Sequence, residues 1–363
     1  MAASETVRSV AVVGGGPAGL YTAYLLKRRR PELRVRVYER SPANATWGFG
    51  VVLADGGLRG LAEADTPSYE AIAAALYPLR GQTFVVNGSA VPIDKSRPGG
   101  AIQRLRLLQI LQGLCREAGA ELHFDPPVDD LETFDDADLV VGADGSNSIV
   151  RERFAEAFGT RKRLLQNRFA WFGVEREFDG SFLNFKSIPA GGLVGHYYSY
   201  APGLSTFVME ADARTWARLG LDRASDAERR RLTQAYFAEE LGGADLVENN
   251  SVWRQFPVVT NARWSHGRYV LIGDALRTAH FSIGSGTRMA LEDAVALVQC
   301  LLREPSRPAA LAAFEAERAE TMSKLASAAE GSFTWYEDFS ERLATTSPEA
   351  FALSFLRRTG RIT

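Results

Sequence analysis

Apolar positions along this chain follow two periods, and the period switches several times. Ser9 to Val13 is a short β-branched run and reads as a strand. A glycine-rich turn follows, and from Ala18 to Arg30 the apolar residues recur at helical spacing until Pro31 stops them. Leu33 to Glu39 reads as the next strand. Strand, helix and strand in this order predict a βαβ unit and the start of a parallel sheet.

Further on, Thr83 to Val86 and Ala90 to Ile93 flank Asn87-Gly88, the sequence of a tight hairpin. Arg104 to Gly119 predicts a helix with Leu107, Leu111 and Cys115 on one face and Gly119 as its C-cap. Strands are expected at 121–124 and 138–141. From Arg168 to Met209 the pattern becomes strand-like and rich in aromatics: Phe169 to Val174, His196 to Tyr200, and Ser205 to Met209. These predict an antiparallel sheet inserted into the first unit. Helices are expected over 226–241 and 287–302, with two or three more after them. The fold class is α/β: a Rossmann-like parallel sheet, an inserted antiparallel sheet and C-terminal helices. The first unit is expected from 1–76, 98–157 and 254–330, the inserted one from 77–97 and 158–253, and a C-terminal helical segment from 331–363.

Composition narrows the function classes. The 363 residues carry a formal net charge of -2, which offers no electrostatic basis for nucleic-acid or anionic-membrane partners. Cys115 and Cys300 both fall in predicted helices, so a disulfide framework is not expected. The stretch from Met1 to Ser9 is polar and no apolar run reaches membrane-spanning length, so a cytoplasmic location is expected. No residue spacing suggests a metal site.

Gly14-Gly15-Gly16-Pro17-Ala18-Gly19 matches Gly-x-Gly-x-x-Gly between a strand and a helix. Gly14 permits the turn, Gly16 admits a pyrophosphate, and Gly19 lets helix and strand pack closely, with the helix N-terminus facing the phosphates. Glu39 ends the next strand, where a carboxylate accepts ribose hydroxyls. This motif alone does not separate FAD from NAD. A second glycine-rich segment lies more than 250 residues later. It opens with Gly273-Asp274 after the apolar run 269–272, continues through His280, Gly284, Gly286 and Thr287, and enters a helix. A cofactor held from two distant parts of the chain must be large.

The stretch Asp138 to Arg151, with Asp144, Gly145, Ser148 and Arg151, resembles the middle motif of the single-component aromatic-ring hydroxylases, flavoproteins with the para-hydroxybenzoate hydroxylase fold. Arg104, Leu107 and Leu111 are similar to that family's Arg-x-x-Leu-x-x-x-Leu helix start, and Asp274, Gly284 and Gly286 to its third motif. Arg277, Phe281 and Arg288 depart from the usual His, Pro and Asn. The resemblance implies FAD as cofactor, NADH or NADPH as co-substrate, molecular oxygen, and ring hydroxylation through a flavin C4a-hydroperoxide. It also implies that Gly14, Gly16, Pro17, Ala18, Gly19, Glu39, Arg40, Gly48, Arg104, Asp144, Asp274, Gly284, Gly286 and Thr287 bind the cofactor.

Trp47 to Leu53, Ala279 to Gly284, Trp335-Tyr336-Glu337 and the ending Phe351 to Ile362 resemble a subgroup acting on aromatic acyl-CoA thioesters and on an indole ring. This implies a small aromatic substrate carried as a CoA thioester, such as salicylyl-CoA hydroxylated at carbon 5. An indole or other natural-product intermediate, or a flavin reductase that does not activate oxygen, are the alternatives. Trp171, Tyr197, Tyr198, Phe207 and Phe281 are expected to line the substrate. His280 and His196 are the expected catalytic groups, His280 as acceptor of a phenol proton or as a hydrogen-bond anchor. Arg80, Arg161, Lys162, Arg163, Arg168 and Arg277 are candidate partners for CoA phosphates.

Overall fold

The computed structural model describes residues 6–93, 99–125, 128, 130–284 and 286–359. Three parts of the sequence reading lie outside them: Met1 to Glu5 of the polar N-terminal stretch, Ser285 in the second glycine segment, and Gly360 to Ile362 of the ending. β1 (Ser9–Val13) turns into α1 (Pro17–Arg29) and returns as β2 (Arg34–Glu39). Next come β3 (Gly50–Ala54), α2 (Asp55–Ala64), α3 (Thr66–Ala73) and β4 (Tyr77–Pro78). The hairpin β5 (Gln82–Val86) and β6 (Ser89–Ile93) precedes β7 (Gly99–Gln103). α4 (Arg104–Ala118) ends at Gly119 with φ of +88°, the left-handed C-cap that its glycine predicts, and leads through β8 (Glu121–Phe124) to β9 (Leu139–Gly142).

Short helices α5 (Ile149–Arg153) and α6 (Ala155–Phe158) then precede four long strands: β10 (Arg161–Val174), β11 (Ser181–Ile188), β12 (Gly191–Ala201) and β13 (Leu204–Ala211). α7 (Ala213–Arg218), α8 (Asp226–Tyr236) and α9 (Ala238–Leu241) follow. β14 (Leu246–Val247), β15 (Arg254–Thr260), β16 (Ser265–His266) and β17 (Tyr269–Leu271) lead to α10 (Gly273–Leu276), α11 (Gly286–Arg303), α12 (Arg307–Glu337), α13 (Phe339–Thr345) and α14 (Pro348–Arg357).

The first sheet has the order β16-β17-β9-β1-β2-β8 and is parallel from β17 to β8. β1 is its topological switch point. The chain leaves β1 toward β2 on one side while β9 pairs on the other, so a crevice opens beyond the carboxyl end of β1. α1, α4 and α11 cover this sheet with Leu20, Leu25, Leu107, Leu111, Leu297 and neighbouring apolar residues. The second sheet, β14-β10-β13-β12-β11-β5-β6, is antiparallel except where β11 joins β5, and β15 pairs with β10 beside that path.

Alternation along these strands divides the aromatics between two faces. Leu193 and Tyr197 of β12 join Phe172, Phe207, Trp216 and Phe237 in a core beneath α7 to α9. Val194, His196, Tyr198 and Tyr200 face the other way, toward β3, β7 and the C-terminal helices. The helix expected over 226–241 is two helices. Phe237 breaks it by packing into the sheet beside Gly195, where an added Cβ would stand 2.7 Å from its ring. β3, β4 and β7 escape a periodicity reading because they are short and rich in glycine or proline. Among the described residues, no helix is long and apolar enough to cross a membrane, and no group of three or more His, Cys, Asp or Glu is placed to hold a metal.

Candidate active site

At the end of β1, Gly14 takes φ of +107°, and a Cβ there would lie 2.4 Å from the Ala143 carbonyl oxygen. Gly19 is tighter still, with a Cβ position 2.0 Å from Gly14 O and 3.0 Å from Val12 Cγ1. These contacts seat α1 directly on the strand and bring the Asp144 backbone against the turn. The α1 N-terminus is capped by Gly16 without a side-chain bond, has Pro17 in its first turn and carries no acidic residue there. That leaves its first-turn N–H groups to an anion. Glu39 is fixed beside them: the Gly15 and Ser41 N–H groups each donate to one of its oxygens at 2.8 Å. A carboxylate so held keeps further acceptor capacity for ribose hydroxyls. Arg40 is exposed at the strand end.

Asp144 organises the turn after β9. The Ile149 N–H donates to its Oδ2 at 2.7 Å, while Oδ1 is buried with no partner among the described residues. Burial pushes this carboxyl pKa upward, against its hydrogen bonds from Ser148 and Ile149. Arg151, fully buried, donates from one terminal nitrogen to the Ala275 carbonyl at 2.9 Å and from the other to Ser146 O and Glu152. The middle-motif arginine therefore ties the Asp144 turn to the Gly273 turn. Asp293 secures that second turn from α11: its Oδ2 accepts from Gly273 N–H at 3.0 Å, and its Oδ1 from Arg277 at 2.6 Å and Arg318 at 3.0 Å.

Asp274 and Arg104 lie deep among protein atoms, yet solvent reaches both, as at the wall of an open cleft. Burial pushes the Asp274 carboxyl pKa up and the Arg104 guanidinium pKa down, and each charge opposes the shift of the other. Arg104 Nε donates to Thr46 Oγ1 at 3.0 Å, and Asn249 Nδ2 donates to the carbonyls of Thr46 and Gly48 at 3.0 and 2.9 Å. The loop before β3 is thus clamped from two sides. Gly48, with φ of +88°, receives the Trp171 ring so closely that a Cβ would meet it at 2.8 Å. Gly284 and Gly286 face open space where a Cβ would stand. Glycine turns, an uncapped helix start, a fixed ribose-facing carboxylate and an open glycine-lined wall together fit an elongated dinucleotide such as FAD.

The inner face of the second sheet carries most of the remaining expected site residues. Strand register aligns Trp171, Val208, His196 and Leu183 in one row, with Phe169, Glu210, Val194 and Phe185 in the next. Phe281 packs on Phe169 with ring centroids 4.7 Å apart, and His280 lies 4.8 Å from Phe256 and 5.9 Å from Tyr336. Burial lowers the His280 pKa to about 3, aided by the Arg358 charge, and lowers that of His196 to about 4. Glu210 moves the opposite way, to about 8, because burial outweighs the hydrogen bond from Asn167. Burial thus favours the uncharged form of all three groups, which suits an apolar ring.

Two of the expected substrate residues lie on the other face of the sheet from His196. Tyr197 and Phe207 stack on each other at 5.3 Å on the outer face, on the far side of the sheet from His196. Adjacent aromatics in a strand must point opposite ways, so Tyr197 and Tyr198 cannot share one lining. Tyr198 does face inward, but its hydroxyl donates to Gly50 O at 2.9 Å and braces β3. Phe207→Ala is expected to cost about 3–5 kcal/mol of stability and leave the substrate KM of the folded enzyme within about two-fold. Trp171→Ala is expected to raise KM at least about ten-fold, on the scale of one buried aromatic contact. Chemical denaturation and steady-state kinetics check the pair; the reverse pattern would return Phe207 to the lining. Glu210, Asn249 and Ser332 belong to none of the sequence motifs. The one local signal is a glutamate directly after the apolar run Phe207 to Met209 of β13.

Residues 128–329 match the FAD binding domain family, and residues 12–64 match the NAD(P)-binding Rossmann-like domain family. Salicyloyl-CoA 5-hydroxylase of a Streptomyces species is 38% identical over an alignment covering 96% of this chain and 69% of its own. The chain belongs to the FAD-dependent aromatic monooxygenases. The 3-hydroxy-4-methyl-anthranilyl-[aryl-carrier protein] 5-monooxygenase of Streptosporangium sibiricum is 34% identical, covering 90% of this chain and 88% of its own. The solved structure of 2-methyl-3-hydroxypyridine-5-carboxylic acid oxygenase shares the fold, with a TM-score of 0.74 at 20% identity over 97% of this chain and 96% of that one. The monooxygenase uses FAD with NAD(P)H and molecular oxygen.

Proposed function

We propose that this monooxygenase hydroxylates the ring of an aromatic CoA thioester, with salicylyl-CoA as first candidate and carbon 5 as the position. The observation that carries this reading is the 38% identity with salicyloyl-CoA 5-hydroxylase across 96% of the chain. A second relative is named for an aryl group presented on a carrier protein, which is again a ring attached to a large carrier. The chemistry agrees: carbon 5 of a salicylyl ring is para to its hydroxyl, the site favoured by an electrophilic oxygen donor.

When bound, FAD reduced by NAD(P)H supplies activated oxygen. The residues around it do the remaining work. Gly14, Gly16, Pro17, Ala18, Gly19, Glu39 and Arg40 would hold the adenosine and pyrophosphate end. Gly48, Arg104, Asp144, Asp274, Gly284, Gly286 and Thr287 would hold the rest. Trp171, Phe169 and Phe281 would flank the substrate ring and exclude water, while α12 to α14 close the chamber behind them. His280 would fix the substrate hydroxyl, with His196 as a second polar contact on the sheet.

Of the candidate phosphate partners, Arg277 is committed to Asp293, and Lys162 pairs with Glu152. Arg161, exposed at the start of β10, would be a candidate for the arm of the thioester.

The test measures NAD(P)H oxidation and hydroxylated product with a panel of aromatic acids, their CoA thioesters and indoles, under labelled oxygen. Thioesters are expected to respond. A response to free acids or indoles with none to thioesters would overturn the assignment. His280→Gln is expected to lower product per NAD(P)H at least about ten-fold while flavin reduction stays within about two-fold; unchanged coupling would remove His280 from the reaction.

A further inference from the structure

We propose that Arg358, Ser332 and Ser282 are positioning residues that lock His280 in one neutral tautomer, so that its Nε2–H is offered as a hydrogen-bond donor. The relay starts at the C-terminal end. Arg358 Nε donates to Ser332 Oγ at 2.9 Å, and another Arg358 nitrogen donates to the Ser282 carbonyl at 2.9 Å. Ser332 Oγ lies 2.7 Å from Ser282 Oγ, and Ser282 Oγ lies 2.7 Å from His280 Nδ1.

The direction of the relay is set at its two ends, where the donors are fixed. Each serine has one hydroxyl proton, and a guanidinium can only donate. Ser332 accepts from Arg358, so its own proton is free for Ser282, and in the relay Ser282 then passes its proton to His280 Nδ1. The Ser282 backbone N–H also donates to the same Nδ1, at 3.3 Å. That N–H cannot reverse. A proton on Nδ1 would face it directly, so Nδ1 is the acceptor and the ring proton resides on Nε2.

This changes the chemistry open to His280. A ring with its proton on Nε2, and with both fixed donors on Nδ1, can hold an oxygen atom but cannot take a proton at Nε2. Of the two roles open to it from the sequence, acceptor or anchor, the relay selects the anchor. Doubly protonated imidazolium is opposed by burial and by the nearby Arg358 charge. The arrangement also reaches across the chain. Ser332 belongs to α12, Arg358 follows α14, and His280 and Ser282 lie in the loop between α10 and α11. Seating of the last helix thus helps set the state of a ring beside the flavin-facing loop.

The proposal rests on His280 contacting the substrate, but its first test does not depend on which substrate that is. The chain has four histidines, so the ring-nitrogen spectrum of the histidine-labelled, FAD-loaded enzyme is simple, and His280→Gln assigns the signals. Without any aromatic substrate, His280 is expected to show an unprotonated Nδ1 and a protonated Nε2 from pH 6 to 8. A protonated Nδ1 would overturn the proposal, whether or not thioesters are substrates.

The second test compares Ser332→Ala, Arg358→Met and Arg358→Lys. The first two are expected to shift the His280 ring signals and lower product per NAD(P)H about five-fold, the scale of one net hydrogen bond. Flavin reduction should be preserved, and Arg358→Lys should recover part of the loss. If His280 merely caps the turn at 281–283, ring signals and coupling will match the parent in all three, and the relay is refuted. Should a variant fail to fold, the wild-type spectrum still decides.

Discussion

Asp293→Ala is expected to lower the thermal midpoint of the flavin-loaded enzyme by about 4–7 °C, from a loss of about 3–5 kcal/mol, and to reduce the flavin retained on purification. Asp293 is fully buried and bonds to Gly273, Arg277 and Arg318. Without it the Arg277 guanidinium, already buried with Nε and one terminal nitrogen unpartnered among the described residues, has no anion in contact. An uncompensated buried cation is among the most damaging defects a core can carry. The Gly273 N–H also loses its acceptor, so the turn that presents Asp274 loosens. Asp293→Asn should fall between, because an amide oxygen serves the N–H but not the two arginines. Calorimetry and flavin absorbance decide the matter. A midpoint within a degree of the parent would show that the network relaxes without cost.

Gly19→Ala is expected to yield a colourless protein with flavin affinity reduced at least about 100-fold, near 2.7 kcal/mol. The added methyl would stand 2.0 Å from the Gly14 carbonyl oxygen, and backbone opposes it, so no side chain can move aside. Either α1 lifts from β1 or the Gly14 turn reshapes, and both displace the helix N-terminus from the phosphate position. Gly113→Ala in α4 is the control. Nothing lies within 4 Å of its Cβ position, so it should stay yellow and gain about 0.5–1 kcal/mol from reduced chain entropy. Titration of the apoproteins with FAD measures both. Retention of tight binding by Gly19→Ala would mean that the close approach is not needed.

These predictions draw on features of unequal visibility in the sequence. The glycine turns were legible because their requirement is local: positive φ at Gly14 or close approach at Gly19 admits no other residue, and the flanking strand and helix announce the context. The aromatic strands were legible as strands, but not as faces. Which of Tyr197 and Tyr198 looks inward depends on sheet packing, and the two hydropathies are identical. Asn249 lies more than 200 positions from the Gly48 carbonyl it holds, and Arg358 lies 76 from the Ser282 carbonyl. Contacts between ordinary polar residues at such separations leave no periodic trace. Arg151 was visible as part of a motif, yet its fully buried, carbonyl-bonded position could come only from the fold.

The sheet order carries a consequence for how the protein is made. β9 pairs with β1 on one side and waits for β17 on the other, across 127 positions of chain from Gly142 to Tyr269. At ribosomal rates of about 5–20 residues per second, that edge stays open for roughly 6–25 s. During this interval a short, fully apolar strand, Leu-Val-Val-Gly, is a template for pairing with any other nascent chain. Slowing synthesis within the inserted sheet should therefore raise aggregation more than slowing it after residue 271. Yield in the cell would then depend on the tempo of translation over a region that contributes no strand to the parallel sheet.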